Sequence, residues 1–209
     1  MAWIRSNKRN TGGGGHTVTL VDKNYIKMEI FTGLNLGKYG FTLKSNYKLE
    51  LIFHETSNTF FDGEIILGNS GSNYCCFLGV YNNRWYTSNG SNVGAFGNWS
   101  GGADHTFIQN NGNGHNEFDG TEISPFSASD LNYDILLGCR NNVGTSNGYQ
   151  GYIKRFRIYD LNNNNEILLD LNPKQLYIDN VLAVEGLYDE VSHRWFCHTS
   201  MIFTGDTPL

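Results

Sequence analysis

Residues 151–173 read GYIKRFRIYDLNNNNEILLDLNP, and the order of side chains in that stretch decides the fold. Two apolar runs flank an asparagine cluster. In the first run Phe156 and Ile158 are two residues apart and share one face of a strand, with Arg155 and Arg157 on the other. Ile153 falls on the wrong side under strict alternation, which would bury Lys154 in its place. A β-bulge near Lys154-Arg155 returns Ile153 to the core. In the second run Ile167, Leu169 and Leu171 share a face. The cluster at 162–165 is turn chemistry, because Asn tolerates positive φ. Two period-two runs joined by such a turn predict an antiparallel hairpin rather than a helix.

The same pattern extends outward. Ile26, Met28 and Ile30 alternate with Lys27 and Glu29, and Tyr47, Leu49, Leu51 and Phe53 alternate with Lys48 and Glu50. Segments 64–67 and 74–81 read as central strands, and Ile135, Leu137 and Cys139 share a face. Gly/Asn/Ser clusters at 69–73, 88–92, 110–116 and 141–148 separate them. About a dozen short strands at this spacing predict an all-β, two-sheet antiparallel sandwich of jelly-roll type. Composition agrees: aromatics are 14%, with 25 Gly and only 3 Pro. A length of 209 residues suits one such domain.

The expected organisation is an extended arm, residues 1–16, followed by the sandwich, residues 17–209. The arm carries Trp3, Ile4, Arg5, Lys8 and Arg9 and ends in four glycines at 12–15, a flexible linker by composition. Removing those three basic groups leaves 12 basic against 20 acidic residues, so the rest carries −8 where the whole carries −5. A basic arm with an apolar pair suits docking on an acidic partner or another subunit. Without a basic stripe in the body, nucleic acid is not an expected partner. No run approaches membrane-spanning length, and the N-terminus lacks a signal-peptide run. Cys75, Cys76, Cys139 and Cys197 have no zinc spacing and read as free thiols made in a reducing cytoplasm.

The last third carries a more specific pattern: Ile158-Tyr159 closing a strand, Pro173 closing the next, then Gly186-Leu187-Tyr188-Asp189 and Trp195-Phe196. It resembles the C-terminal half of laminin-G-like, concanavalin A-like jelly rolls found in phage and gut-bacterial surface proteins. Residues 31–53 resemble the opening strands of that family, and 134–140 its Leu-Gly-x-Arg strand. Residues 181–185 look inserted, and 81–115 do not align. The resemblance implies a lectin-like sandwich and says little about function, since the fold hosts lectins, glucanases and inert modules. Leu187 and Tyr188 are expected to close one open end of the sandwich.

Glu117-Phe-Asp119-Gly-Thr-Glu122 has the spacing of the catalytic strand in glucanases of this fold, where one Glu is nucleophile and the other acid/base. Retaining hydrolysis needs carboxyls about 5 Å apart. Asp119-Gly120 is a turn dipeptide, and a tight hairpin there is expected to splay the carboxyls. The expectation is therefore no enzyme. The better binding candidate is the Gly/Asn-rich region 81–105, with Asn89, Asn98, Trp99, Asp104 and His105. Sugar sites pair an aromatic platform with amide and carboxylate groups. Trp85 is expected in the core. No metal site is expected from the six scattered His; calcium is a candidate ligand for Asp62, Asp104, Asn111 and Asn113, without a calcium-loop spacing. The expected function is a non-enzymatic virion or surface protein. It assembles in a host cytoplasm and sits exposed on the particle. It binds glycan through rim loops, contacts other virion proteins through its arm, and forms a homo-oligomer. The competing expectation is a glucanase-like hydrolase using Glu117 and Glu122.

Overall fold

The computed structural model describes residues 16–28, 33–55, 64–70, 76–88, 93–99, 101–123, 132–139 and 149–196. The arm residues Trp3, Ile4, Arg5, Lys8 and Arg9 lie outside the described residues, as do Ile30, Asp62, Cys75, Asn89 and Cys197. The strands in chain order are β1 (Val18–Asp22), β2 (Ile26–Lys27), β3 (Leu34–Asn35), β4 (Tyr47–Glu55), β5 (Glu64–Asn69), β6 (Cys76–Tyr81), β7 (Arg84–Ser88) and β8 (Val93–Asn98). They continue with β9 (Asp104–Asn110), β10 (His115–Phe118), β11 (Thr121–Ile123), β12 (Ile135–Leu137), β13 (Gly151–Asp160), β14 (Glu166–Ile178), β15 (Val181–Asp189) and β16 (Arg194–Phe196). One 3₁₀ turn, Leu36–Tyr39, follows β3.

Two antiparallel sheets pack as a sandwich. The larger runs β11-β10-β9-β4-β13-β14-β15-β16, with β1 added to β14 and β2 to β13; the smaller runs β3-β12-β5-β6-β7-β8. The architecture is all-β, and this order is consistent with a jelly roll. Alternation places the core between the sheets: Leu49, Leu51, Phe53, Phe156, Ile158, Leu169 and Leu171 point in from the larger sheet, and Ile66, Leu78, Val80 and Trp85 belong to the same cluster. Trp85 is thus a core residue, as its strand predicts. Cys139 is a buried free thiol, and burial pushes it up to about 12.

The bulge sits where the sequence demands it. Ile153 pairs with Phe53 and Arg155 with Ile52, so Lys154 is the extra residue, and Ile153 is fully buried. A second bulge corrects the reading of β14. Ile158 pairs with Leu169 but Tyr159 with Ile167, which leaves Leu168 as the extra residue. Ile167 therefore turns outward and is exposed, while Leu168 packs against the core. Two-residue turns at Asn82-Asn83, Asp119-Gly120 and Asp179-Asn180 have positive φ at both positions, the backbone that tight hairpins require.

Gly186-Leu187-Tyr188-Asp189 does not act as the expected two-residue cover. It lies within a strand, so its side chains alternate. Leu187 pairs with Phe196 and is buried in the core, whereas Tyr188 pairs with Trp195 and is only half-buried. Asp189 points inward again and is almost fully buried.

Candidate functional site

The connection from β8 to β9 carries four of the five expected binding residues from one sheet to the other. Asn98 ends β8 and is exposed. Trp99 is partly buried against the core, and its backbone N–H donates to Asn83 O at 3.0 Å. Asp104 and His105 begin β9, and adjacent strand residues face opposite sides. Asp104 is exposed on the outer face, whereas His105 is buried. The His105 ring packs near Phe53, Trp85 and Phe118, and its Nδ1 lies 2.8 Å from Asp119 Oδ2. The structure therefore keeps Asn98, Trp99 and Asp104 at one end of the sandwich and removes His105 from any ligand there.

On the outer face Asp104 joins residues that the sequence reading did not select. Lys154 Nζ donates to Asp104 Oδ2 at 2.6 Å, and His54 Nδ1 lies 2.9 Å from Asp104 Oδ1. Burial works to raise the Asp104 carboxyl, but the bonds from Lys154 and His54 outweigh it and hold it below its ordinary value. The Lys154 ammonium also sits 5.0 Å from the Tyr25 ring centroid. Tyr25, His54 and Tyr152 pack edge to face, each pair of centroids 6.0 Å apart. The bulge that buries Ile153 is what leaves Lys154 free to turn out to Asp104. The expected bulge was therefore also the signal for this cation.

One residue beyond His54 on β4, on the inner face, begins a second unexpected group. Glu55 ends β4 and Glu64 begins β5, one in each sheet, and both are fully buried. Gln150 N–H donates to Glu64 Oε1. Among the described residues neither Glu55 oxygen has a hydrogen-bond partner within reach. Burial raises the Glu55 carboxyl well above its ordinary value, and the charge of Glu64 adds to that; weaker attraction from the Trp99 and Tyr149 side chains opposes it. Burial and the Glu64 charge both favour the protonated form of Glu55. Tyr149 donates to His54 O at 2.8 Å, and its ring occupies the space where a side chain at Gly151 would go. The signal for Glu55 was in the sequence, since the inward positions 47, 49, 51 and 53 continue to 55.

Of the calcium candidates, Asp62 lies outside the described residues, and Asn111 and Asn113 are not brought to Asp104. Asn111 Oδ1 accepts from Gln109 and Asn113 Oδ1 from His115 N, both beyond the far end of β9 from Asp104. Among the described residues no three or more His, Cys, Asp or Glu side chains assemble as a metal site.

The expected catalytic strand needs a correction of geometry. Asp119-Gly120 is the hairpin turn, but the hairpin does not splay the glutamates: Glu117 and Glu122 are direct cross-strand partners. Glu122 Oε1 lies 2.7 Å from His115 Nδ1. Asp119 points away from them, accepting from Thr106 N at 2.8 Å and facing His105.

No family model matches the chain. No curated protein matches it either. The pattern in its last third is thus a likeness of residues.

Proposed function

We propose that the chain is a non-enzymatic surface module of the laminin-G-like, concanavalin A-like kind, a fibre, decoration or baseplate component of a phage virion. It assembles in the host cytoplasm and is exposed on the particle. It recognises carbohydrate through the end of the sandwich that carries Asn98, Trp99 and Asp104, joins other virion proteins through residues 1–16, and forms a homo-oligomer. The observation that carries the glycan reading is the fixed Asp104 carboxylate. Lys154 and His54 hold it in one orientation at the start of the crossover strand, with the exposed amide of Asn98 and the ring of Trp99 on the same connection. A rigid acceptor beside an amide and an aromatic is the chemistry that selects a pattern of sugar hydroxyls.

Binding of host-surface polysaccharides on a glycan array tests this. Wild-type protein should bind at least one glycan, and Asp104→Asn and Asn98→Ala should each weaken binding tenfold or more with circular dichroism unchanged. Absence of wild-type binding, or unchanged binding in both variants, would refute the glycan site.

One observation favours a second reading, the glucanase-like hydrolase. Directly opposed residues of an antiparallel pair have Cβ atoms about 4.5–5.5 Å apart, so Glu117 and Glu122 share a face as neighbours, the arrangement from which a retaining pair of carboxyls about 5 Å apart would be built. Reducing-sugar release that disappears in Glu117→Gln would establish it.

A further inference from the structure

One row of the sandwich interior is polar at its centre. Across β11, β10, β9 and β4 it reads Ile123, Asn116, Gln109 and Leu49, each directly opposed to the next. Asn116 and Gln109 are both fully buried. Amides on a core face are costly unless their donors and acceptors are paired. Part of that pairing is present. Asn111 Nδ2 donates to Lys44 O at 2.8 Å, and Gln109 Nε2 donates to Asn111 Oδ1 at 2.7 Å. A backbone carbonyl only accepts, so Lys44 O fixes which end of the Asn111 amide is nitrogen, and Asn111 in turn fixes Gln109. Gln109 Oε1 is thereby left as an acceptor. Among the described residues it has no hydrogen-bond partner, and neither has Asn116 Oδ1 or Asn116 Nδ2. The two opposed side chains do not bond each other. On the facing sheet Trp85 meets Phe118 with ring centroids 5.0 Å apart. Two residues along each strand from that contact are Thr87 and Asn116, and Thr87 Oγ1 is also buried without a partner among the described residues.

We infer that Gln109 and Asn116 bind an ordered internal water between the two sheets. The ligand is read from the atoms that lack partners. Gln109 Oε1 and Asn116 Oδ1 are acceptors, Asn116 Nδ2 is a donor, and none carries charge. A buried water makes about three hydrogen bonds to groups of this mixed kind. It donates to the two oxygens and accepts from the nitrogen. An ion fits worse: a cation is opposed by the Asn116 N–H groups, and an anion by the two carbonyl oxygens. A larger hydroxylated ligand has to displace Ile123 or Leu49, which flank the amides and belong to the core. The relay from Lys44 through Asn111 holds Gln109 Oε1 in place before the water arrives. Position gives the water a role. Asn116 lies between His115 and Glu117, so the water sits beneath the hairpin that sets Glu117 opposite Glu122. Without it the amides regain partners only when that hairpin opens to solvent.

Two measurements on the full wild-type chain test the inference. A crystal structure at a resolution that shows ordered solvent should place a water oxygen within hydrogen-bond distance of Gln109 Oε1 and of the Asn116 amide. In solution, the Asn116 side-chain N–H protons should give direct magnetisation-transfer cross-peaks to water in nuclear magnetic resonance, although the residue is fully buried. Asn116→Leu, which makes the row apolar from Ile123 to residue 116, should lose one long-lived water in water-oxygen relaxation dispersion with circular dichroism unchanged. If that variant does not fold, the two wild-type measurements decide. A direct bond between Gln109 and Asn116, a protein group filling the space between them, density without water, or the absence of water cross-peaks would each overturn the site. An unchanged count of long-lived waters in folded Asn116→Leu would do the same.

Discussion

Replacing Asp189 with alanine should cost more than any surface change of its size. Its carboxylate holds three segments together. Oδ1 accepts from Asp170 N at 2.8 Å and from Val191 N at 3.1 Å; Oδ2 accepts from Ser192 N at 3.0 Å and from Ser192 Oγ at 2.5 Å. A hydrogen bond to a charged group contributes about 1.5–3 kcal/mol, and a buried donor left alone forfeits its full desolvation cost. Asp170 N–H sits in a buried part of β14, so its bond counts fully, at about 2–3 kcal/mol. Residues 191–193 are exposed, and water replaces much of what their donors lose. The sum is about 3–5 kcal/mol, or roughly 6–20 °C in Tm for a chain of this length. Asp189→Asn keeps one acceptor oxygen and should lose about half as much. Urea denaturation of wild type and both variants measures this. A loss under about 1 kcal/mol for Asp189→Ala would refute the claim that the carboxylate organises the β15–β16 turn.

Leu187→Ala removes a fully buried side chain opposite Phe196 and should destabilise by about 2–5 kcal/mol in the same assay, whereas an unchanged midpoint would deny it a core role. Gly151→Ala drives a methyl into the Tyr149 ring and should destabilise strongly, with part of the loss recovered in the double variant Gly151→Ala/Tyr149→Ala; simple additivity would contradict the contact. Glu55→Gln tests the buried proton. Glu55 is raised in the folded chain, so the folded state binds more protons than the unfolded one between its ordinary and its raised value. Wild-type stability should fall as pH rises through that window, by up to about 1.4 kcal/mol per pH unit, and then level off. The amide that replaces the carboxyl in Glu55→Gln does not titrate, so the variant should gain on wild type from near pH 4.5 upward; parallel stability curves would rule out a neutral Glu55.

Much of the sandwich was readable because alternation is a local property. The inward series from Tyr47 to Phe53 and the bulge at Lys154 needed no knowledge of neighbouring strands. Ile167 was misplaced because nothing in EILLDL marks Leu168 as the extra residue; its register is set by pairing with Tyr159. The candidate site was less legible. Asp104 and Asn98 were selected by type and position, but the partners of Asp104, His54 and Lys154, come from two other strands, and Tyr25 joins through Lys154. His105 was misjudged where period two alone was informative, since the residue after an outward Asp104 on a strand must face inward. Glu55 was passed over because a carboxylate on a core face contradicts hydrophobic patterning, and the facing sheet that buries it is not visible from β4 alone.

The bulge at Lys154 gives β13 two reading frames. Residues 151–153 and 155–160 each alternate correctly, but in opposite phase, and one lysine is the splice between them. Deleting a residue in the turn at 161–165 shortens a loop. Deleting Lys154 removes the splice instead: Ile153, Phe156 and Ile158 then fall on one period-two series that keeps all three in the core without a bulge, and what is lost is the outward cation that holds Asp104. The same single residue thus makes the bulge of a core strand and supplies the charge of the outer face, so the two are gained or lost together.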